Sequence, residues 1–415
     1  MKKRKIIILT PAFLKVSSAP AIRWHSFIDY LKRFYDITII EIKASLRYFM
    51  PEIQSIYIDK NIKVYNIIYK KSFPKLYILK KFLLGTKEAV FLHDIYYVLY
   101  KPLIDIIKDI IKHEKPDLLI ASIPPPHLAV IAYNIYKEFS IPYIVDVRDL
   151  IEYFYFYEEL PQRNVINRIV WISTIYNKYY MSLRNAQLIT TVTPICTYVL
   201  KTVYKISNIY LIPNGITVAP DNLIHYKERE KRLIIIEAAR SLGLGIEKII
   251  KAWNNIVSIE FPDYKLTIIG GISELIKRKI NTSHNIEILG ELHFNEVIRL
   301  LTNSRGSIIW CLSSKNPAHT AAIPVKFYDS IGTGTPVYAQ GPKSYLSILI
   351  EKYNLGKYHY KYCIDEKHVA EGLIDFIQNI ERGSYDFDSI LKIRKQFLRE
   401  NYTFILRKII DKLIT

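Results

Sequence analysis

The stretch from Ile323 to Val337 constrains the fold more than any other part of the chain, because it marks both ends of a short helix. Pro324 suits the first helical turn, where its missing N–H is not needed, and Gly332 begins a glycine-rich stop. The apolar segments on either side predict strands at residues 307–312 and 335–339. Strand, helix and strand in this order predict a parallel crossover unit.

Two charged residues lie near the start of this predicted helix. Lys326 and Asp329 are three residues apart, so they share one face close to the electropositive end of the helix. In an open α/β sheet that end lies at the carboxyl edge of the strands, where ligands bind. A cation and a carboxylate there could hold the phosphates and the ribose of a nucleotide. The alternative is a solvated ion pair on an ordinary helix.

The motif resembles the donor-binding motif of the large group 1 family of retaining GT-B glycosyltransferases, written Pro-x-Lys-x-x-Glu-x-x-Ala-x-Gly-x-Pro-Val. The matching residues are Pro324, Lys326, Asp329, Gly332, Gly334, Pro336 and Val337. In that family the acidic residue holds the nucleotide ribose, and the resemblance gives this role to Asp329. Two departures are the shorter Asp329 in place of Glu, and Ala321 where a further Glu is usual.

The length and the order of segments predict two domains. The chain has 415 residues, and strand-like and helix-like segments alternate throughout, which favours the α/β class. The resemblance implies a GT-B fold, with two Rossmann-like doubly wound domains facing a central cleft. We expect an N-terminal acceptor-binding domain over residues 1–217, a linker over 218–232, a nucleotide-sugar-binding domain over 233–395, and a C-terminal helix within 396–415 that returns to the first domain.

Further donor-binding residues are suggested by strand ends in the second domain. Arg240 occupies the place of an arginine that grips the donor diphosphate in the resembling family, but Leu244 replaces its usual lysine partner. The phosphate grip therefore falls to Arg240 with Lys326. Gly270 and Gly290 each follow a predicted strand and could let the backbone approach a base or ribose.

Candidate acceptor-binding residues follow the first-domain strands. In the resembling family the first loop is glycine-rich and faces the acceptor; here Ser17 and Ser18 are the small residues. Arg23 could meet an anion at the start of the next helix, or lie on the helix surface. His127 follows a predicted buried strand over residues 117–122, and it faces the cleft or is structural.

The pair Arg148 and Asp149 is the candidate catalytic site. Both follow a predicted buried strand, where charged side chains are costly unless they face a cleft or are paired. The resembling branch carries a similar Val-Arg-Asp-Leu sequence beside the acceptor. We therefore assign Asp149 to take or steer the acceptor hydroxyl proton, and Arg148 to hold an anionic acceptor or Asp149 itself. A purely structural ion pair is the alternative.

The charge is strongly positive and uneven. The formal net charge is +19, and the residues up to Lys205 hold 30 basic against 17 acidic side chains. Nucleic acid, an anionic membrane surface or phosphorylated substrates could explain the excess, as could an AT-rich genome. Residues 65–103 interleave aromatics with lysines, as in a helix on anionic lipid or a helix packed on the core.

Three isolated cysteines, Cys196, Cys311 and Cys363, indicate a reducing compartment without disulfides or structural zinc. The basic N-terminus and the apolar residues 6–9 fit a buried first strand better than a signal peptide, and no stretch is long enough for a transmembrane helix. We expect a cytoplasmic protein, peripheral on the inner face of the membrane in the lipid-acceptor interpretation.

The resemblance implies a glycosyltransferase that moves a sugar from a nucleotide diphosphate sugar to an acceptor hydroxyl with retention, without a metal or other cofactor. The basic, aromatic first domain favours a lipid-linked or membrane-proximal glycan acceptor. The alternative is a GT-B protein without turnover that binds a nucleotide sugar or serves as a scaffold, as Ala321, Ser122 and Leu244 suggest. A nucleic-acid binder is the weaker third hypothesis. The sequence contains no dinucleotide fingerprint and no P-loop motif.

Overall fold

The structure is a computed structural model that describes residues 3–14, 19–42, 50–59, 62–70, 101–150, 176–236, 245–271, 285–312 and 320–414. The chain divides into two compact units. The first unit comprises Met1–Pro213 and Tyr402–Thr415, and the second comprises Asn214–Asn401.

The first unit is built on a mixed sheet that is almost entirely parallel. In the described residues its strands are Arg4–Thr10 (β1), Tyr35–Ile42 (β2), Met50–Asp59 (β3), Ile62–Lys70 (β4), Leu118–Ile123 (β5), Tyr143–Val147 (β6), Leu188–Thr191 (β7) and Ile209–Leu211 (β8). They lie in the order β3-β4-β2-β1-β5-β6-β7-β8, and only β3 and β4 pair antiparallel. Its helices are Ala19–Leu31, Lys101–Glu114, His127–Phe139, Asn177–Arg184 and Pro194–Thr202.

The central strand β1 of the first unit is buried in the hydrophobic core. Residues 6–9 of β1 are fully buried, as a strand covered by helices on both faces requires. Trp24 and Phe27 of the first helix pack in the same cluster as Leu406 and Ile410. The latter belong to the last helix, Arg399–Ile414, whose residues from Tyr402 onwards group with the first unit.

The second unit contains a fully parallel sheet in its described residues. The strands are Glu230–Ile236 (β9), Lys265–Ile269 (β10), Ile286–Gly290 (β11), Ser304–Cys311 (β12), Val337–Gln340 (β13) and Gly356–His359 (β14), in the order β11-β10-β9-β12-β13-β14. Its helices include Ile246–Ala252, Phe294–Thr302, Val325–Gly332, Tyr345–Lys352, Glu366–Arg382 and Phe387–Gln396. The predicted α/β class is therefore confirmed for both units.

The predicted linker over residues 218–232 is wrong, because this segment belongs to the second unit. Tyr226 is buried and its hydroxyl donates to the carbonyl of Tyr385, and Glu230 already begins β9. The change of unit falls at Pro213 rather than at residue 217. Polar composition alone did not reveal that one aromatic side chain anchors the segment to the core.

Each sheet has one point where the strand order reverses. In the first unit it lies between β1 and β5, and in the second between β9 and β12. Connections leave these neighbouring strands in opposite directions, so a crevice opens at their carboxyl ends, which is where such sheets bind ligands. The topology thus defines one candidate ligand edge in each unit.

The predictions about membrane association and the cellular compartment concern residues outside the described segments or have no structural test. The segment 71–100 holds most of the predicted aromatic and basic helix, and it lies outside the described residues. No helix in the described segments is both long and apolar enough to cross a bilayer. Cys196 and Cys363 are buried free thiols.

A buried carboxylate ties three elements of the first unit together at the end opposite the ligand edge. Glu114, the last residue of its helix, accepts hydrogen bonds from Lys5 at 2.8 Å, from Lys63 at 2.8 Å and from the hydroxyl of Tyr65 at 2.6 Å. Burial opposes the charged form, but these donors outweigh it and lower the pKa of Glu114 to about 2.

Replacing the carboxylate of Glu114 tests how much its hydrogen bonds to β1 and β4 stabilise the first unit. The pKa of Glu114 lies below its value in an unfolded chain, so its stabilisation is complete above pH 4.5 and is lost as the pH falls towards 2. We expect Glu114→Gln to lower the free energy of unfolding by about 2 kcal/mol at pH 7, with a difference that shrinks below pH 4.5. Urea unfolding monitored by circular dichroism measures it, and the exposed Asp29→Asn should change little.

Candidate functional site

The helix Val325–Gly332 reaches the ligand edge of the second unit. It follows β12, and Pro324 precedes it in an extended conformation, within one residue of the predicted start. The ammonium group of Lys326 donates to the carbonyl oxygen of Ile236 at 3.0 Å. Ile236 is the last residue of β9, so this bond brings the N-terminus of the helix to the point between β9 and β12 where the strand order reverses.

Asp329 lies one turn further along the same helix and is almost fully buried, with 6% of its surface exposed. Its Oδ1 atom has no hydrogen-bond partner in the described part of the chain. Burial raises the pKa of Asp329 to about 7, and the positive charge of Arg399 opposes that rise. The alternative of a solvated ion pair with Lys326 is therefore wrong. A buried carboxyl group with an unused acceptor atom is poised to receive a hydrogen bond from a ligand hydroxyl.

Arg229, which the sequence placed in a linker, supports the C-terminal end of this helix. Its guanidinium group is buried and donates to the carbonyls of Thr333 at 3.0 Å and Gly334 at 3.3 Å, and to the hydroxyl of Thr335 at 2.9 Å. Burial lowers the pKa of Arg229 to about 10. The residue fixes the glycine-containing turn after the helix through backbone acceptors.

Two more arginines that sequence reasoning missed approach the same helix. Arg394 donates to the carbonyl of Gly332 at 3.1 Å. Arg399 is buried, donates to the carbonyls of Asn214 and Gly215, and lies close enough to act on the charge of Asp329. No sequence signal distinguishes these arginines from surface cations, because the carbonyl groups to which they donate are backbone groups that every residue carries.

The two predicted glycines lie together at the ends of β10 and β11. The N–H of Gly270 donates to the carbonyl of Gly290, and both have positive φ angles, 114° and 68°. A Cβ atom built on Gly290 would meet nothing within 4 Å, so this backbone borders open space. Arg240 lies outside the described residues, and its predicted role in gripping phosphate stays a prediction.

The ligand edge of the first unit contains a saturated buried carboxylate. Asp146, near the end of β6, accepts from Arg23 at 2.9 Å, from the hydroxyl of Ser122 at 3.1 Å and from that of Thr190 at 2.8 Å. Burial alone would raise the pKa of Asp146, but Arg23 and Thr190 outweigh it and lower the value. Asp146 therefore joins β5, β6, β7 and the first helix.

Arg23 differs from both sequence interpretations. It is 1% exposed, so the surface alternative is wrong. Besides Asp146, it donates to the carbonyls of Ile212 at 3.0 Å and Pro213 at 3.0 Å. Direct acceptor binding by Arg23 stays a prediction that this burial does not support. We assign it a structural role at the edge instead.

His127 is also buried, at the first position of its helix. Burial lowers the pKa of His127 to about 3, so the imidazole is neutral at physiological pH. The buried position of His127 fits a structural role. Its predicted contact with the acceptor stays a prediction that this burial does not support. Ser17 and Ser18 lie outside the described residues.

Arg148 and Asp149 follow β6 directly and are partly buried. Arg148 donates to the carbonyl of Pro124 at 2.8 Å, in the loop after β5, and the described residues show no ion pair within 4.0 Å between it and Asp149. Burial raises the pKa of Asp149, and the nearby guanidinium group of Arg148 opposes this. A carboxyl group with a raised pKa beside a cation is suited to accept a proton.

The geometry supports two kinds of chemistry at the two edges. The second unit offers an unused carboxyl oxygen, an ammonium group and an open glycine backbone, which fit a ligand with hydroxyl and phosphate groups. The first unit offers a carboxyl group suited to proton transfer beside a fixed guanidinium group. Within the described residues, no group of three His, Cys, Asp or Glu side chains is arranged to hold a metal ion.

Solved structures share the architecture of the whole chain. Sucrose-phosphate synthase from Thermosynechococcus elongatus matches with a TM-score of 0.70 at 12% identity, over 99% of each chain. WaaG, a glycosyltransferase involved in lipopolysaccharide biosynthesis, matches with a TM-score of 0.63 at 10% identity, over 96% of this chain and 99% of the other.

HepE of Anabaena, solved in complex with UDP, matches with a TM-score of 0.62 at 11% identity, over 98% of this chain and all of the other. No protein-family model matches the sequence, and no curated protein matches it. At these identities the similarity shows the fold. The fold is GT-B, as predicted.

The raised pKa of Asp329 gives the site a measurable pH dependence. An ionised carboxyl group with a folded pKa near 7, above its usual 3.8, costs stability above pH 7, and the cost disappears as the pH falls towards 4. We expect Asp329→Asn to be more stable than the parent protein by roughly 2–4 kcal/mol at pH 8 without ligand, and about equal at pH 4. Thermal unfolding across this range measures the difference. The exposed Asp263→Asn should show no such pH dependence, and a parent protein that is the more stable at pH 8 would contradict the assignment.

Proposed function

We propose that this chain is a GT-B glycosyltransferase that moves a sugar from a nucleotide diphosphate sugar to an acceptor hydroxyl, with retention of configuration. The observation that carries the proposal is the unused Oδ1 atom of the buried Asp329, at the ligand edge of the second unit. A neutral or charged carboxyl oxygen in that position accepts hydrogen bonds from a ribose diol. Retention is proposed from the family that the donor motif resembles.

The donor half of the proposal assigns each group a separate part of the nucleotide. Asp329 accepts from the ribose hydroxyls, and the open backbone at Gly290, which is hydrogen-bonded to Gly270, lies against the base or ribose. Lys326 and Arg240 neutralise the leaving diphosphate, and Pro324 sets the start of the helix whose N-terminal dipole acts in the same direction. These charges supply the electrophilic assistance, and the proposal requires no metal ion or other cofactor.

The acceptor half rests on the pair after β6. Asp149 takes or steers the proton of the attacking hydroxyl, since burial holds its pKa above that of an ordinary aspartate. Arg148, fixed by the carbonyl of Pro124, faces an anionic group on the acceptor or stabilises the ionised Asp149. Asp146 stays ionised and structural, because Arg23 and two hydroxyls already occupy it.

The acceptor that we propose is a lipid-linked or membrane-proximal glycan at the cytoplasmic side of a membrane. The support is the charge of the first unit, in which residues up to Lys205 carry 30 basic and 17 acidic side chains. A nucleic-acid partner is not part of this proposal. One specific observation supports the alternative of a scaffold without turnover: the buried Ala321 stands where the resembling family usually has a glutamate.

Two aspartate variants separate donor binding from transfer. Asp329→Ala removes the acceptor of charge-assisted hydrogen bonds, worth about 1.5–3 kcal/mol, so we expect nucleotide affinity to fall roughly 10- to 150-fold. Asp149→Ala should leave nucleotide affinity unchanged and abolish transfer. Thermal shift with UDP, GDP and their sugars measures binding, because a ligand at a hundredfold excess over Kd stabilises by about 2.7 kcal/mol.

The control for both variants is Asp263→Ala, an exposed carboxylate in a weak surface pair with Lys231. It should bind nucleotide and transfer sugar like the parent protein. Release of nucleotide from a panel of nucleotide sugars measures turnover. If the parent protein binds nucleotide without any turnover, the scaffold alternative is favoured. If Asp329→Ala and Asp149→Ala both transfer sugar normally, the assigned site is disproved.

A further inference from the structure

Residues 176–212 of the first unit carry four basic residues and no acidic residue. Strands β5, β6, β7 and β8 are sequential neighbours, and right-handed crossovers place the helices between them on the same side of the sheet. One of these helices, Asn177–Arg184, precedes β7, and the next, Pro194–Thr202, precedes the edge strand β8. We call the surface formed by residues 176–212 the basic face.

The cations of the basic face have no ion-pair partner among the described residues. Residues 176–212 include Lys178, Arg184, Lys201 and Lys205 but no aspartate or glutamate. All four cations are exposed, and none forms an ion pair within 4.0 Å with another described residue. Four exposed cations in a segment without acidic residues create a local positive potential that attracts anionic partners.

Large apolar side chains stand among these cations. Tyr198 is 67% exposed and lies one helical turn before Lys201, and Val203 is 65% exposed between Lys201 and Lys205. Tyr210 of the edge strand is exposed as well. Apolar and aromatic side chains interleaved with lysines suit the boundary between lipid headgroups and acyl chains, where the lysine stems remain in apolar surroundings and the ammonium groups reach phosphates.

A groove borders the basic face between helices His127–Phe139 and Asn177–Arg184. Its volume is about 350 Å³, and Tyr133, Asn134, Lys137 and Lys178 are among its lining residues. The ammonium group of Lys137 lies 4.8 Å from the ring centre of Tyr133, and the neighbouring Glu138 pairs with Lys108. Two lysines and amide groups around such a groove fit a phosphate-bearing headgroup.

We propose that the basic face docks on an anionic lipid surface, with Tyr198 and Val203 inserted among the headgroups and the groove beside Lys137 and Lys178 holding a headgroup phosphate. This inference deepens the proposed function, since it names the surface that would bring the acceptor edge to a lipid-linked substrate. It uses none of the residues assigned to the nucleotide or to catalysis.

The same observations disfavour two other occupants. A symmetric contact with a second copy would oppose the same uncompensated cations on both sides. A nucleic acid would meet the cations, but the exposed valine among them offers no hydrogen bond and no stacking surface, which such binding uses. Lipid is the partner that uses both the charge and the apolar side chains.

Vesicle co-sedimentation of the full chain tests the proposal. We expect binding to phosphatidylcholine vesicles that contain phosphatidylglycerol, no binding to phosphatidylcholine alone, and weakening by salt. Each basic residue near the surface contributes about fivefold to the partition coefficient, so Lys201→Glu with Lys205→Glu should weaken binding at least about 25-fold. Tyr198→Ser with Val203→Ser should also weaken binding, but should leave its salt dependence unchanged.

The matched control is Lys392→Glu with Lys395→Glu, which makes the same charge change on an exposed helix of the second unit. The proposal is overturned if both double charge reversals reduce vesicle binding equally, or if the Lys201 and Lys205 variant retains parental binding. It is likewise overturned if these substitutions dissolve a dimer seen by sedimentation, or weaken binding to an oligonucleotide while vesicles are not bound. The thermal shift of the same variants with UDP should equal that of the parent protein, so loss of vesicle binding is read separately from the nucleotide site.

Discussion

The ligand edge of the second unit depends on arginines that donate mainly to backbone carbonyls rather than to carboxylates. Arg229 and Arg394 donate to Gly332, Thr333 and Gly334, at the end of the helix where unpaired carbonyls carry partial negative charge. The cations are thereby stabilised without a bound acidic side chain. Asp329, one turn earlier, keeps an unused oxygen as a result. A direct Arg–Asp pair there would have occupied the atom that a ligand needs.

The ligand edge of the first unit also contains a buried carboxylate, but its acceptor atoms are occupied, in contrast to those of Asp329. Asp146 has all its acceptor capacity directed at Arg23, Ser122 and Thr190, which holds its pKa low and fixes the ends of three strands. Asp149, only three residues later, has no such set of donors, and burial raises its pKa. Two aspartates in one short stretch therefore acquire different chemistry, because one lies inside the sheet and the other just beyond its end.

The ends of an element were predictable where proline or glycine marks them. The helix Val325–Gly332 was predicted to within one residue, since a proline and a glycine mark its ends. The hairpin β3–β4 was missed, and residues 54–58 of β3 are all exposed, so they show no alternation of buried and exposed positions.

The site was predictable only where the residues themselves form a motif. Lys326 and Asp329 have helical spacing, which the sequence displays directly. Arg23 is different, because its partner Asp146 is 123 positions away, and the pairing exists only after β6 and the first helix have packed. Arg229 is harder still, since all but one of its acceptors are carbonyls that every residue type carries. Side-chain patterns reveal side-chain partners, and these contacts are mostly with the backbone.

The basic face separates two explanations of the positive charge of this chain. An AT-rich genome enriches lysine, but aspartate and glutamate codons are also rich in A and T, so composition gives no reason to remove acidic residues. Residues 176–212 nevertheless contain no acid, while their lysines and arginine point outward, where the packing of β7 and β8 does not depend on them. A solvent-exposed helix surface would ordinarily mix both signs of charge. Attraction to an anionic surface would account for the missing acids.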